Sequence, residues 1–235
     1  MTWHIGAVPT DDVQRWNSEA TQRLLGFTIG LDDESWHSPT ALPGWSRAHV
    51  ATHLARNADH VRAAIEAVGA GLPQPAPQTP KARIIDLEHG ADRDGLALQI
   101  DLDTSAGALH RVIDLTSDWS PLVVVRGTVH PLAVVVLDRF HEVCLHHLDL
   151  DFELSPEAID AAPAAWLLRG VIDRLQNADL PAIRIESDSL VAELGRGDEP
   201  LVVSGSDIRL WAWLSGRGTA SWVTGADGFQ PGLLA

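Results

Sequence analysis

Three side chains that could bind a metal or exchange protons occur together with an arginine in the pattern Arg139-x-x-Glu142-x-x-x-His146-x-x-Asp149. On an α-helix, at about 100° per residue, Glu142 and His146 differ by roughly 40°, and the other two lie within about 60° of them. The pattern predicts one helix face that carries a carboxylate, an imidazole and two further charges. Carboxylate oxygen and neutral imidazole nitrogen are both ligands of borderline divalent metals such as zinc.

A second segment supplies a candidate third ligand. His53 follows the turn Leu42-Pro-Gly-Trp45, with Ser46 as the N-cap of the next predicted helix. If the second and fourth helices of an antiparallel bundle pack side by side, His53 meets the face that carries Glu142 and His146. Two imidazoles and one carboxylate would leave a fourth zinc position open, as in catalytic sites.

The neighbouring polar residues fit supporting roles. Asp149 would accept a ring N–H from a histidine ligand, and Arg139 would orient Glu142 or bind a substrate anion. His49, one turn before His53, could line the same cavity or have a structural role. A simpler interpretation stays open at this point, because Glu and His four residues apart are often a solvated pair and the chain has eleven histidines.

Composition narrows the class of partner. The chain has 235 residues, with 17 Lys and Arg against 32 Asp and Glu and a formal charge of -15, which would repel nucleic acid and anionic membranes. In so acidic a protein, a small anionic substrate would have to be bound by a few arginines positioned at its site. Because no apolar run approaches the roughly 18 residues of a membrane span and no signal-peptide pattern begins the chain, we expect a cytoplasmic protein. We expect a monomer or a small homo-oligomer.

The single cysteine, Cys144, excludes an internal disulfide framework and a cysteine-rich zinc site. It lies two residues from Glu142, which is roughly 200° around a helix, so its thiol should face away from the metal ligands. We interpret it as a small core residue.

The helices and strands that the sequence predicts around these residues indicate an α+β protein. In residues 1–152 the apolar periodicity predicts a four-helix bundle, with helices that cover about 13–31, 46–68, 92–116 and 132–150. A proline-rich connection at 72–80 and a short hairpin at 122–129 join them. The sequence pattern of residues 153–235 predicts a small α+β domain. Its helices are expected at about 156–177 and 206–214, and its strands at 182–187 and 201–204.

Three segments together resemble the mycothiol-dependent maleylpyruvate isomerase family, whose bundle is DinB-like. They are Leu42-Pro-Gly-Trp-Ser-x-x-x-Val-x-x-His53-Leu, the pattern from Arg139 to Asp149, and Val203-Ser-Gly-Ser followed by Gly216-Arg217-Gly218. The resemblance runs in order over nearly the whole chain, and no motif aligns within residues 72–107.

The resemblance implies a catalytic metal and an external thiol. Zinc, or another divalent metal, would be held by His53, Glu142 and His146, and the family's C-terminal arginine falls on Arg217, which would reach from the small domain to the metal cavity. The implied activity is the conversion of maleylpyruvate to fumarylpyruvate in gentisate-type catabolism, by reversible addition of the thiolate of mycothiol. The implied partners are this low-molecular-weight thiol and a small anionic substrate.

Two other functions stay open. A mycothiol S-transferase would use the same metal ligands but would consume the thiol by joining it to an electrophile. A non-enzymatic protein would store or sense metal, or bind an apolar ligand near Trp211, Trp213 and Trp222, although tryptophans in a core are the commoner explanation. Nucleotide-binding loops and a serine-hydrolase elbow are missing from the sequence.

Overall fold

The computed structural model describes residues 7–76, 78–125, 127–226 and 228–233. It divides into two compact units, Pro9–Phe152 and the chain from Glu153 onward, and Ala7 and Val8 group with the second. The predicted α+β class is confirmed, since helices dominate and the strands form two small sheets. No helix within the described ranges is both long and apolar enough to cross a membrane.

Four long helices form the bundle of the first unit. They are α1 (Thr10–Thr28), α3 (Arg47–Gly69), α5 (Gly95–Leu115) and α6 (Ala133–Leu150). Helix α3 packs against α5 and α6, and α1 packs against the same two helices, so the four close around a common core. Large apolar side chains from all four fill this core, among them Leu24, Leu54, Leu98, Phe140 and Leu145.

Two shorter helices, α2 (Asp33–His37) and α4 (Pro80–Ala91), are additions to the predicted set. Each begins with a side-chain cap: Asp32 accepts the N–H of Ser35, and Thr79 accepts the N–H of Ala82. Pro80, predicted as the last residue of the proline-rich connection, instead occupies the first turn of α4. Helix α4 packs along α3, the helix that carries His53.

A two-stranded hairpin precedes α6. Strand β1 (Leu122–Val125) pairs antiparallel with β2 (Thr128–Pro131), and Val124 lies opposite Val129. Arg126, between the two strands of this predicted hairpin, lies outside the described residues, and Gly127 next to it has a φ of +80°, which glycine adopts without strain.

The second unit combines helices α7 (Ala161–Leu175) and α8 (Asp207–Leu214) with a three-stranded sheet. Strand β3 (Pro181–Glu186) is central, antiparallel to β4 (Val191–Leu194) and parallel to β5 (Arg196–Ser204). Strand β4 was not predicted, and the helix expected at 156–177 is divided into a short 3-10 turn and α7. Trp211 and Trp213 of α8 are fully buried, as expected for core tryptophans.

Candidate metal centre

Helix α6 buries several polar side chains that its sequence places on one face. Glu142 is 7% exposed, Asp149 is 1% exposed and His146 is fully buried. Within α6 only Asp138 and Leu148 are partly exposed, and every other residue is buried. Because a charged side chain is rarely buried unless it is paired or binds a metal, the polar face of α6 needs partners from another element.

Helix α3 supplies that partner with His53. Its Nε2 lies 3.0 Å from Oε2 of Glu142, and Nε2 of His146 lies 3.5 Å from the same oxygen. One possible ligand atom from each of the three residues lies within 4.8 Å of the other two. The structure therefore brings the three predicted metal ligands together, although 89 residues separate His53 from Glu142.

Asp149 determines how His146 faces this cluster. Nδ1 of His146 lies 2.8 Å from Oδ2 of Asp149, and a carboxylate can only accept a hydrogen bond, so Nδ1 carries a proton. In the neutral ring the lone pair of Nε2 then points toward the cluster. This Nε2 is buried and makes no hydrogen bond. A buried acceptor without a donor is unfavourable, and a bound cation would satisfy it, so the residues present fit a metal site.

When no metal is bound, the pKa values of the two histidines are shifted in opposite directions. Burial lowers the pKa of His53 and outweighs the hydrogen bond with Glu142. Burial also acts to lower the pKa of His146, but the hydrogen bond to Asp149 and the nearby charge of Glu142 outweigh it and raise that pKa above its usual value. A proton therefore competes with a cation at His146 at a higher pH than at His53.

An indole ring beside the histidines was not predicted as part of the site. The ring centroid of Trp45 lies 5.5 Å from that of His53 and 6.3 Å from that of His146, and the ring planes of Trp45 and His146 differ by 19°. Trp45 is only partly buried, whereas His146 has no exposed surface. The indole thus lies nearly parallel to the ring of His146 and covers it with an apolar surface.

His49, one turn before His53 on α3, is not among the three converging residues. Its Nδ1 accepts the N–H of Ser46 at 3.1 Å, so His49 helps to cap the first turn of α3. Its Nε2 lies 3.5 Å from Oε2 of Glu88 on α4. Because Nδ1 is occupied by the backbone and Nε2 faces Glu88, His49 joins α3 to α4.

Arg139 extends from α6 across the core to α3. Its Nη1 donates to the carbonyl oxygen of Leu54 at 2.8 Å and to Oδ1 of Asn57 at 2.9 Å. Burial lowers the pKa of Arg139 to about 10, against the opposing attraction of Glu142 and Asp59. Sequence reasoning missed Asn57, although the spacing of four residues from His49 to His53 to Asn57 places all three on one face of α3.

Cys144 faces away from the cluster, as its position on the helix predicts. The residue is 5% exposed, and burial raises the pKa of its thiol to about 12. His141 and His147, which neighbour the ligands in sequence, are also buried, and the ring of His147 packs 5.9 Å from that of Phe27. None of the three belongs to the group of converging ligand atoms.

Arg217 follows the C-terminus of α8 in the second unit. Gly216 has a φ of +76°, which ends the helix, and the N–H of Arg217 donates to the carbonyl oxygen of Ala212 at 2.8 Å. Within this turn its Nη1 donates to the carbonyl oxygen of Ser215 at 2.8 Å. The role of Arg217 in catalysis stays a prediction.

Comparisons with known proteins agree with the resemblance seen in the sequence. The family described as the mycothiol maleylpyruvate isomerase N-terminal domain matches residues 18–151, a range that includes His53, Glu142 and His146 but not Arg217. A search of curated proteins gave no match.

Two solved structures share the fold over almost the full length. They are crystal structures of the mycothiol-dependent maleylpyruvate isomerase and of a histidine-to-alanine mutant of it. Each has 21% sequence identity and a TM-score of 0.86, and the match covers 99% of this chain and 100% of the solved chain. Since the family match extends over more than half of the sequence, this chain belongs to the mycothiol maleylpyruvate isomerase family.

Proposed function

We propose that this chain is a mycothiol-dependent isomerase that converts maleylpyruvate to fumarylpyruvate at a divalent metal held by His53, Glu142 and His146. The observation that carries the proposal is the convergence of these three donors around the buried, unpartnered Nε2 of His146. Membership of the family supports the choice of thiol and reaction.

The donor set suits zinc, because two imidazoles and a carboxylate leave one position for a further ligand. A divalent cation at this site would supply a positive charge that stabilises a thiolate near neutral pH. The remaining contributions come from the chain. Asp149 holds the ring of His146, Trp45 limits the approach of water, and the side chain of His53 keeps 21% of its surface exposed, which leaves a route from solvent to the donors.

The proposed reaction exchanges cis for trans at one carbon–carbon double bond without net oxidation. Reversible addition of a thiolate sulfur would allow rotation about the resulting single bond, and elimination would restore the double bond and the free thiol. Cys144 cannot supply this sulfur, because its thiol is buried and its pKa is raised to about 12. We assign to Arg217 the recognition of a substrate carboxylate, for which a guanidinium is well suited.

The proposed function is tested by measuring product formation and the concentration of free thiol in the same reaction. The purified chain, loaded with zinc and given mycothiol and maleylpyruvate, should form fumarylpyruvate while the concentration of free thiol stays constant. Consumption of one thiol per product would instead identify an S-transferase. Absence of turnover with a fully loaded metal site would favour a non-enzymatic metal-binding protein.

Arg217→Lys separates substrate recognition from metal binding. A point charge in place of the planar guanidinium loses bidentate contact with a carboxylate, so kcat/KM should fall by about tenfold or more while metal content is unchanged. Unchanged kinetics would remove Arg217 from the mechanism.

A further inference from the structure

Helices α3 and α6 are linked by two polar contacts that lie one helical turn apart. The first is the 3.0 Å contact between Nε2 of His53 and Oε2 of Glu142. In the second, Nη1 of Arg139 donates to Oδ1 of Asn57 at 2.9 Å. On α3, Asn57 follows His53 by four residues. On α6, Arg139 precedes Glu142 by three. Since spacings of three and four residues keep side chains on one helix face, the second contact lies next to the metal ligands.

The guanidinium of Arg139 also binds the main chain of α3. Its Nη1 donates to the carbonyl oxygen of Leu54 at 2.8 Å, and Leu54 directly follows His53. A hydrogen bond to the main chain fixes the height of α3 against α6, and the bond to the side chain of Asn57 limits the rotation of α3 about its axis. Together the two bonds restrict where the ring of His53 can lie.

An arginine is an unfavourable residue for this part of the core. Arg139 is 2% exposed, and burial lowers its pKa to about 10, against the attraction of Glu142 and Asp59. Its Nε is buried without a hydrogen-bond partner. An apolar side chain of similar volume is often at least as stable as a buried charge. Packing alone therefore does not explain the guanidinium, whereas its two hydrogen bonds to α3 give it a geometric role.

We propose that Arg139 and Asn57 are positioning residues of the metal centre, which hold the turn of α3 that carries His53 in place against α6. This inference rests on the metal site of the proposed function. It gives Arg139 a role toward His53, in addition to the predicted orientation of Glu142. A positive charge beside a divalent cation repels it. Position and charge therefore predict opposite changes in zinc affinity when the guanidinium is removed.

Arg139→Met tests the proposal in the full-length chain, because methionine is long and apolar but donates no hydrogen bond. Zinc affinity is measured by competition with a chelator at about pH 8, which limits competition by protons. We expect zinc to bind about 10- to 100-fold more weakly, as when other residues that orient metal ligands are replaced. Unchanged or tighter binding would show that the guanidinium does not position a ligand, and would overturn the proposal.

Arg56→Met is the matched control. Arg56 lies three residues after His53 and also joins α3 to a neighbouring helix, but its partner is Asp101 on α5. Loss of that ion pair should leave zinc affinity as in the natural chain. An equal loss of affinity in Arg56→Met and Arg139→Met would show a general effect of bundle packing, and would contradict a specific role for Arg139.

Asn57→Leu removes one contact and leaves the charge of Arg139 in place. Asn57 is only partly buried, so this variant keeps the test decisive if Arg139→Met folds poorly. Zinc should bind about fivefold more weakly, a smaller loss because the bond to Leu54 remains. The double variant Arg139→Met/Asn57→Leu should be no weaker than Arg139→Met, because both changes remove the same contact. Unchanged affinity in Asn57→Leu, or losses that multiply in the double variant, would overturn the proposal.

Cobalt(II) in place of zinc reports the arrangement of the donors, because its visible absorption depends on the number and geometry of its ligands. At saturation, the natural chain and Arg56→Met should give the same spectrum, and Arg139→Met a different one. Identical spectra from all three would show that His53 keeps its place without Arg139, and would overturn the proposal. Neither measurement uses turnover, so absence of isomerase activity would leave the positioning role standing. Normal turnover with unchanged affinities and spectra would overturn the positioning role alone.

Discussion

His146 and Asp149 lie three residues apart on α6, with Nδ1 of the first 2.8 Å from Oδ2 of the second. Both side chains are buried, at 0% and 1% exposure. The carboxylate fixes which ring nitrogen carries the proton, and so directs the other nitrogen toward Glu142 and His53. A carboxylate–histidine pair of this kind raises the basicity of a metal ligand and holds its ring in place.

Asp149→Asn should weaken zinc binding by about 10- to 100-fold, because an amide provides neither the charge nor the fixed acceptor that orients His146. Competition with a chelator measures the affinity. The control is Asp114→Asn, since Asp114 lies 3.4 Å from His110 in an exposed pair of the same residue types on α5. Equal affinities in the two variants would show that the buried pair does not support the ligand.

Zinc affinity should depend on pH through His146 first. Its pKa is raised, so a proton must leave it when metal binds, and the logarithm of the affinity should fall by about one per pH unit as the pH drops through this pKa. The pKa of His53 is lowered, so a second proton adds to the slope only at lower pH. Titrations across about pH 5 to 8 measure the slope. An affinity independent of pH across this range would contradict the assignment of His146 as a ligand.

The local geometry of the site could be read from the sequence because it depends on one helix. Glu142 and His146 are one turn apart on α6, and helical periodicity alone places them on one face. The contact with His53 depends on how α3 packs against α6, and spacing along the chain carries no information about it. His53 becomes a candidate only on the assumption that the second and fourth helices of a bundle pack side by side, and the resemblance to the family then implies it as a ligand.

Two features escaped prediction for identifiable reasons. Trp45 precedes α3 and follows Gly44, whose φ of +79° turns the chain, so its position against the histidines follows no helical period. Helix α4 buries only Ala91 and leaves Ile84 and Ile85 exposed, which gives it little apolar periodicity. Its start was visible in the pair Thr79-Pro80, a typical cap and first helical residue.

Cys144→Ala should retain full activity, because the thiol is not a nucleophile in this account. We expect it to lower the free energy of unfolding by about 1 kcal/mol, the usual effect of a small change in a packed core. Since burial raises the folded pKa from 9.0 to about 12, the native thiol should resist alkylation at pH 8. The stability that this burial contributes is complete below pH 9 and should be lost as the pH rises toward 12. Rapid alkylation of the native chain, or loss of turnover in the variant, would contradict this role.

Gly90→Ala should disturb the packing of α4 beside the metal centre. A Cβ at Gly90 would overlap the side chain of Thr52, the buried residue that precedes His53. We expect a loss of about 1–3 kcal/mol in the free energy of unfolding, as for other overpacked sites. In Gly26→Ala a Cβ meets no atom within 4 Å, so the better helix propensity of alanine should give no loss. Denaturant unfolding compares the two, and equal stability would show that α4 does not pack on α3 as described.

The metal content of two histidine variants tests the central claim most directly. His53 contributes to the cluster on α3, whereas His60, seven residues along the same helix, is exposed and serves as the matched control. After equilibration with zinc and removal of loosely bound ions, elemental analysis should find one zinc per chain in the natural protein and in His60→Ala, and close to none in His53→Ala, with all three equally helical. One zinc per chain retained by His53→Ala would contradict a metal centre built on His53, Glu142 and His146.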